Sequence, residues 1–98
     1  MLGFNFKIIE VGGHSMSPAL ADEDFVMVSR YPWTRFKEGQ MVLVDHPKYK
    51  LMVKRICKVI DDKCLLMGDH FTSLSAEKMG WVEEQRIIGK VIYHIPAS

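Results

Sequence analysis

Leu51-Met52-Val53-Lys54-Arg55-Ile56-Cys57-Lys58-Val59-Ile60-Asp61-Asp62-Lys63-Cys64-Leu65-Leu66-Met67 decides the fold. Two apolar runs, the first rich in valine and isoleucine, flank a pair of aspartates, and no long 3.6-residue period appears. Aspartate suits tight turns, so the stretch predicts a hairpin with strands over 51–60 and 63–67. A two-residue turn sets residue 57 opposite 66 and residue 64 opposite 59. Cys57 and Cys64 then share a face but are diagonally offset, a poor disulfide geometry. They are expected to be free thiols that serve as small core hydrophobes, as in a reducing compartment.

The same pattern extends outward. Short apolar runs at Phe6–Val11, Phe25–Ser29, Met41–Asp45 and Ile87–Ile95 read as further strands. Breakers separate them: Gly12-Gly13, Asp22-Glu23-Asp24, Pro32, Glu38-Gly39, His46-Pro47, Gly68-Asp69 and Gly80. A helical turn is expected over Ser17–Leu20, with Ser17 as cap and Pro18 at the first helical position. Another is expected near Ser75–Lys78. Many short strands that must bury a common face predict an all-β fold, a coiled or barrel-like sheet, as one domain over residues 1–98.

Composition excludes several functions. The chain has 98 residues, 48% of them hydrophobic, enough for one small domain. Its net charge is +1 and no basic run exceeds two residues, which gives no electrostatic case for nucleic acid. No stretch approaches the ~20 apolar residues of a membrane span. Met1–Ile9 lacks the basic start and cleavage site of a signal peptide. A soluble, cytoplasmic protein is expected, with membrane association only if a longer chain carries an anchor. His14, His46, His70 and His94 lack metal-ligand spacing, so neither metal nor cofactor is expected.

Two residues stand out chemically. Ser15 follows Gly12-Gly13 in a loosened turn after an apolar run. Glycine permits positive φ and close approach, which an exposed nucleophile and its oxyanion donors need. Lys54 lies inside a strand-like run, sharing a face with Met52, Ile56 and Ile60. A serine hydroxyl needs a base. A lysine kept neutral by burial can serve, provided desolvation brings its pKa down from ~10.4 toward neutrality. The ordinary alternatives are a turn serine and a lysine that snorkels to water. A Ser–His–Asp triad, with His14 or His70 as base and Asp45 or Asp69 as orienter, is the competing arrangement. His14 adjoins Ser15 in sequence, so its ring is expected to point away from the hydroxyl. The aromatic loop Tyr31-Pro32-Trp33-Thr34-Arg35-Phe36 either folds over the core or offers an apolar rim.

Taken in order, Ser15-Met16-Ser17-Pro18-Ala19-Leu20, Asp22–Val28, Glu38–Val44, Val53-Lys54-Arg55-Ile56, Gly68-Asp69-His70 and Ile87–Val91 resemble the signal peptidase I family. They also resemble the wider serine–lysine protease superfamily, which includes the LexA-type self-cleaving repressors. The resemblance runs from about Val11 to Val91. It implies a serine endopeptidase with Ser15 as nucleophile, Lys54 as general base and Ser73 orienting the lysine. Met16 matches the methionine beside the nucleophile. Gly13 and His14 fall where substrate and oxyanion are positioned. Arg55, Gly68 and Asp69 match supporting positions.

The sequence departs from the pattern at Gly13, where a second oxyanion hydroxyl often stands, at His70, and at Ser75-Ala76-Glu77. The small size resembles the maturation proteases of nickel-type superoxide dismutase, which trim an N-terminal extension. The implied partner is a protein or peptide substrate bound in extended form, with small side chains near the cut. Val11 and Met41–Val44 are the expected edges for it. The alternatives are a LexA-like core that cleaves itself and an inactive member that binds peptide without cutting it.

Overall fold

The computed structural model describes residues 5–13, 16–30, 35–69 and 79–97. Seven strands follow in chain order: β1 (Asn5–Glu10), β2 (Phe25–Arg30), β3 (Met41–His46), β4 (Lys50–Ile60), β5 (Lys63–Met67), β6 (Trp81–Glu83) and β7 (Ile87–Ile95). A single 3₁₀ turn, Glu84–Arg86, links the last two. They form one curled antiparallel sheet in the order β1-β2-β7-β3-β4-β5-β6. The fold is all-β, as the alternation of apolar runs and breakers requires.

The centre of the sheet is buried on both faces. In β3, Val42 and Val44 point to one core and Leu43 to the other, because successive side chains alternate. The first core gathers Val42, Val44, Ile56, Cys64, Leu66 and Ile87 under Phe36 and Met79. The second gathers Val11, Met16, Leu20, Val26, Val28, Leu43 and Val53. Phe36 therefore folds over the core, with the Arg30 guanidinium 5.4 Å from its ring centroid. Arg30 also donates to the Ile87 carbonyl. Tyr31 to Thr34 lie outside the described residues.

Three local expectations need correction. The 51–67 stretch is a hairpin turning at Asp61-Asp62, but a β-bulge at Cys57 shifts its register. Val59 does pair with Cys64, whereas Leu66 pairs with Ile56 and not with residue 57. The extra residue also inverts the faces beyond it. Val59, not Ile60, joins the core beneath Lys54's face, and Ile60 is 54% exposed. Both cysteines are free. Burial, aided by the Glu84 carboxylate, pushes the Cys64 thiol up to about 11.

Residues 16–20 make one turn, closed by the Leu20 N–H on the Met16 carbonyl, and not a helix. The chain is caught just outside this turn, where the Val11 N–H donates to the Asp24 carbonyl and the Glu23 N–H to the Val11 carbonyl. That leaves no length over which helix could propagate beyond its costly nucleus. The turn expected near Ser75–Lys78 lies outside the described residues. Strand β6 escaped the sequence reading because three residues carry too little pattern.

Two polar clusters fasten the sheet. His46 is buried at the β3–β4 turn, where its Nδ1 accepts the N–H groups of Lys48 and Tyr49. Its Nε2–H is thereby left to donate to the Met79 carbonyl at 2.9 Å. Asp24, at the entry to β2, accepts from the Ala21 and Ala97 N–H groups and from His94 Nε2 at 3.0, 2.9 and 2.7 Å. These donors hold its carboxyl down at about 2.

Gly89 in β7 is the tightest point of the sheet. A Cβ there would lie 2.6 Å from Val28 Cγ1 and 2.7 Å from the Ser29 carbonyl oxygen. Gly89→Ala is expected to destabilise the fold by about 1–3 kcal/mol, measured by chemical denaturation.

The Asp24 cluster makes stability pH-dependent. The unfolded carboxyl titrates near ~3.9, so its contribution is complete above about pH 4. It is lost as pH falls through about 2, where the native carboxyl titrates. Denaturation midpoints taken from pH 5 to 2 are expected to fall in that interval. Asp24→Asn is expected to lower stability at pH 6 and to flatten that dependence.

Candidate active site

Lys54 sits in the middle of β4, opposite Val42 of β3, with Met52 and Ile56 on its own side of the strand. The sheet carries it into apolar surroundings because the flanking residues must be buried. It is 4% exposed. Desolvation lowers the pKa of its ammonium from the ordinary lysine value. It is therefore a desolvated amine, not a snorkelling one.

Ser15, His14, His70 and Ser73 lie outside the described residues. The described chain reaches Gly13 and resumes at Met16. Gly13 has φ +82°, a conformation that favours glycine, and its N–H donates to Asp22 Oδ1 at 2.8 Å. That N–H is thus committed to a carboxylate. Beyond Ser15, Met16 is 2% exposed in the second core. Gly13 is thus held by a hydrogen bond and Met16 by packing. Asp22 escaped the sequence reading because nothing local links it to a glycine nine residues earlier.

Arg55, next along β4, grips Asp69 with two parallel hydrogen bonds, Nε to Oδ1 at 2.8 Å and NH2 to Oδ2 at 2.7 Å. Its NH1 donates to the Gly39 carbonyl at 2.7 Å. The pairing raises the Arg55 pKa and lowers that of Asp69. One side chain thus ties β4 to the turn before β3 and to the Gly68-Asp69 segment that leaves β5. Alternation points Arg55 away from the face that carries Lys54.

These bonds bear on the competing triad. Both Asp69 oxygens are occupied by Arg55, and Asp45 is exposed on β3. His46 and His94 are each engaged in the structural clusters already described. Among the described residues no group of three His, Cys, Asp or Glu side chains is placed to hold a metal ion. Among them, too, no helix is long and apolar enough to cross a membrane.

A cleft of about 190 Å³ opens between the end of β1 and the first half of β4. Ile9, Val11, Gly12, Met16, Leu43 and Val53 line it. Met16 follows Ser15 in the chain and Val53 precedes Lys54, so a chain neighbour of each candidate residue lines the cleft. Of the two expected substrate edges, β3 is interior, hydrogen-bonded to both β4 and β7. Strand β1 is an edge, paired to β2 alone among the described residues. Strand β4 pairs with β5 only from Arg55 onward. Among the described residues its first half is therefore open on the side away from β3.

No curated protein matches the chain. A family model described as Peptidase S24-like matches residues 3–92. That span takes in the turn before and after Ser15, the buried Lys54, the Arg55–Asp69 clasp and β7. The chain belongs to the Peptidase S24-like family, within the LexA and signal-peptidase-like superfamily.

Proposed function

We propose that the protein is a serine endopeptidase in which Ser15 is the nucleophile and Lys54 the general base. The burial of the Lys54 amine carries this reading: desolvation favours the neutral form that can accept a proton. Family membership and the cleft between the Met16 and Val53 positions add to it. The substrate is an extended segment of a protein, such as an N-terminal extension, laid as an extra strand along the open edge of β1.

On this assignment catalysis proceeds in two steps. Neutral Lys54 takes the Ser15 hydroxyl proton as the oxygen bonds to the scissile carbonyl carbon. The Ser15 N–H stabilises the oxyanion, in a turn held by the Gly13–Asp22 hydrogen bond. Lys54 passes its proton to the departing amine as the C–N bond breaks, leaving an acyl ester on Ser15. Water attacks the ester, gives a proton to Lys54, and the carboxyl product leaves as Ser15 regains its hydrogen. Ser73 orients the lysine through a hydrogen bond. Arg55 and Asp69 hold the base-bearing strand.

Ser15→Ala and Lys54→Met are each expected to reduce cleavage of a proteome-derived peptide library at least ~10³-fold, read as new N termini by mass spectrometry. A Ser15→Ala protein that cleaves as the parent does would refute the assignment.

The base also sets the pH dependence. Neutral Lys54 is the active form, so kcat/KM is expected to rise with pH through a midpoint below 10.5. Stability changes in the same direction. The native amine titrates below the unfolded one, so the unfolded chain holds more protons between the two values and stability rises with pH across that interval. Lys54→Met removes the buried amine. It is expected to abolish both cleavage and the pH dependence of stability that the amine contributes.

A further inference from the structure

The end of the sheet opposite β1 carries a surface that the peptidase chemistry does not use. The bulge at Cys57 turns Ile60 outward, where it is 54% exposed. Cross-strand pairing sets Ile60 beside Lys63 and Glu83, and Lys58 beside Leu65 and Trp81, all on one face of β4, β5 and β6. Val59, Cys64 and Val82 point the other way and pack in the first core. Trp81 is left 44% exposed. Single exposed hydrophobics are ordinary, but an indole and an isoleucine that wall one groove mark a contact surface.

That groove encloses about 440 Å³ and is lined by Ile60, Asp61, Asp62, Lys63 and Trp81. Asp61 and Asp62 form the hairpin turn, and neither carboxylate has an ion pair or hydrogen bond among the described residues. The turn itself is held, because the Asp62 carbonyl accepts the Glu84 N–H at 2.7 Å. Lys63 stands across from Glu83, so each balances the other's charge. With Glu84 next in the chain, carboxylates around the groove outnumber the ammonium groups of Lys58 and Lys63.

An indole face attracts a cation, and a carboxylate beside it gives that cation a directed partner. Arginine meets both demands at once. Its flat guanidinium stacks on an aromatic face and offers parallel N–H groups to a carboxylate. Its aliphatic stem packs on a residue such as Ile60. A lysine ammonium is a compact, strongly hydrated charge and gains less from stacking.

We propose that the tip of the β4–β5 hairpin and β6 form a docking site for an arginine-bearing segment of a partner protein. The guanidinium lies over Trp81, and the carboxylates of Asp61 and Asp62 accept its N–H groups. Ile60 is ~20 Å along β4 from Lys54, so this site is separate from the cleft and both can be filled together. Docking there does not depend on the roles given to Ser15 and Lys54.

Blocked Thr-Arg-Thr-Arg-Thr is titrated into the isotope-labelled full chain, with Thr-Gln-Thr-Gln-Thr as the control. NMR follows the Trp81 indole N–H and the Asp62 amide. The Arg peptide is expected to shift both saturably, with a Kd of ~1 mM or tighter, and to bind at least tenfold more tightly than the Gln peptide. Trp81→Ala is expected to weaken that binding at least tenfold, read at the Asp62 amide. Asp61→Asn combined with Asp62→Asn is expected to do the same, read at the indole. All three positions are exposed, and asparagine tolerates the φ of +54° at residue 61, so core amide signals are expected to stay in place. Equal affinities for the two peptides, no shift at Trp81 and Asp62, or binding that survives loss of both carboxylates overturns the proposal.

Discussion

Placing an amine where water does not reach constrains everything around Lys54. A charged ammonium in apolar surroundings costs several kcal/mol unless something offsets it. Burial lowers the pKa of that ammonium in the centre of β4, where β3 pairs along one side and Met52 and Ile56 flank it on its own face. The strand cannot relieve that burial by twisting Lys54 toward solvent, because Val53 and Arg55 would leave their places. Val53 is fixed in the second core and Arg55 in a bidentate pair with Asp69. The clasp next door therefore keeps the lysine desolvated without touching it.

This arrangement explains what the sequence made legible. Strand positions could be read because valine, isoleucine and leucine cluster between strong breakers, and six of the seven strands fall where those runs fall. The bulge at Cys57 could not be read. The outward-facing positions of this hairpin carry apolar residues too, Ile60 and Met67 among them, so the polar alternation that would reveal an inserted residue is missing. Val59 and Ile60 are equally apolar, so nothing in their chemistry says which one turns inward. Only the pairing of Ile56 with Leu66 and of Val59 with Cys64 decides it.

The candidate site shows the same division. Lys54 stands out because a lone lysine in an apolar run is a local anomaly, and Arg55 with Asp69 because opposite charges fit a familiar order. The carboxylate of Asp22 beneath the Gly13 N–H is a contact across a turn, and the cleft is shaped by three strands and a loop. Such features arise from closure of the sheet, which no window of sequence contains. The histidines illustrate the converse. Their spacing spoke against a metal site, but only the hydrogen bonds show His46 serving as a turn cap and His94 as a partner for Asp24.

The open edge of β1 has a cost as well as a use. Its backbone groups recognise extended chain as such, not a particular sequence, and Ile8 on its outer surface is 60% exposed. An edge of this kind accepts a strand from another molecule of the same protein as readily as any other strand, which is the usual route to edge-to-edge aggregation. Opposing that, the strand bears Lys7 and Glu10, and it ends at Glu10, just before Gly12-Gly13, where Gly13 takes a positive φ. The edge is short enough that a stray strand gains few hydrogen bonds. Discrimination then falls to side-chain fit, and a partner that offers backbone alone gains little residence time.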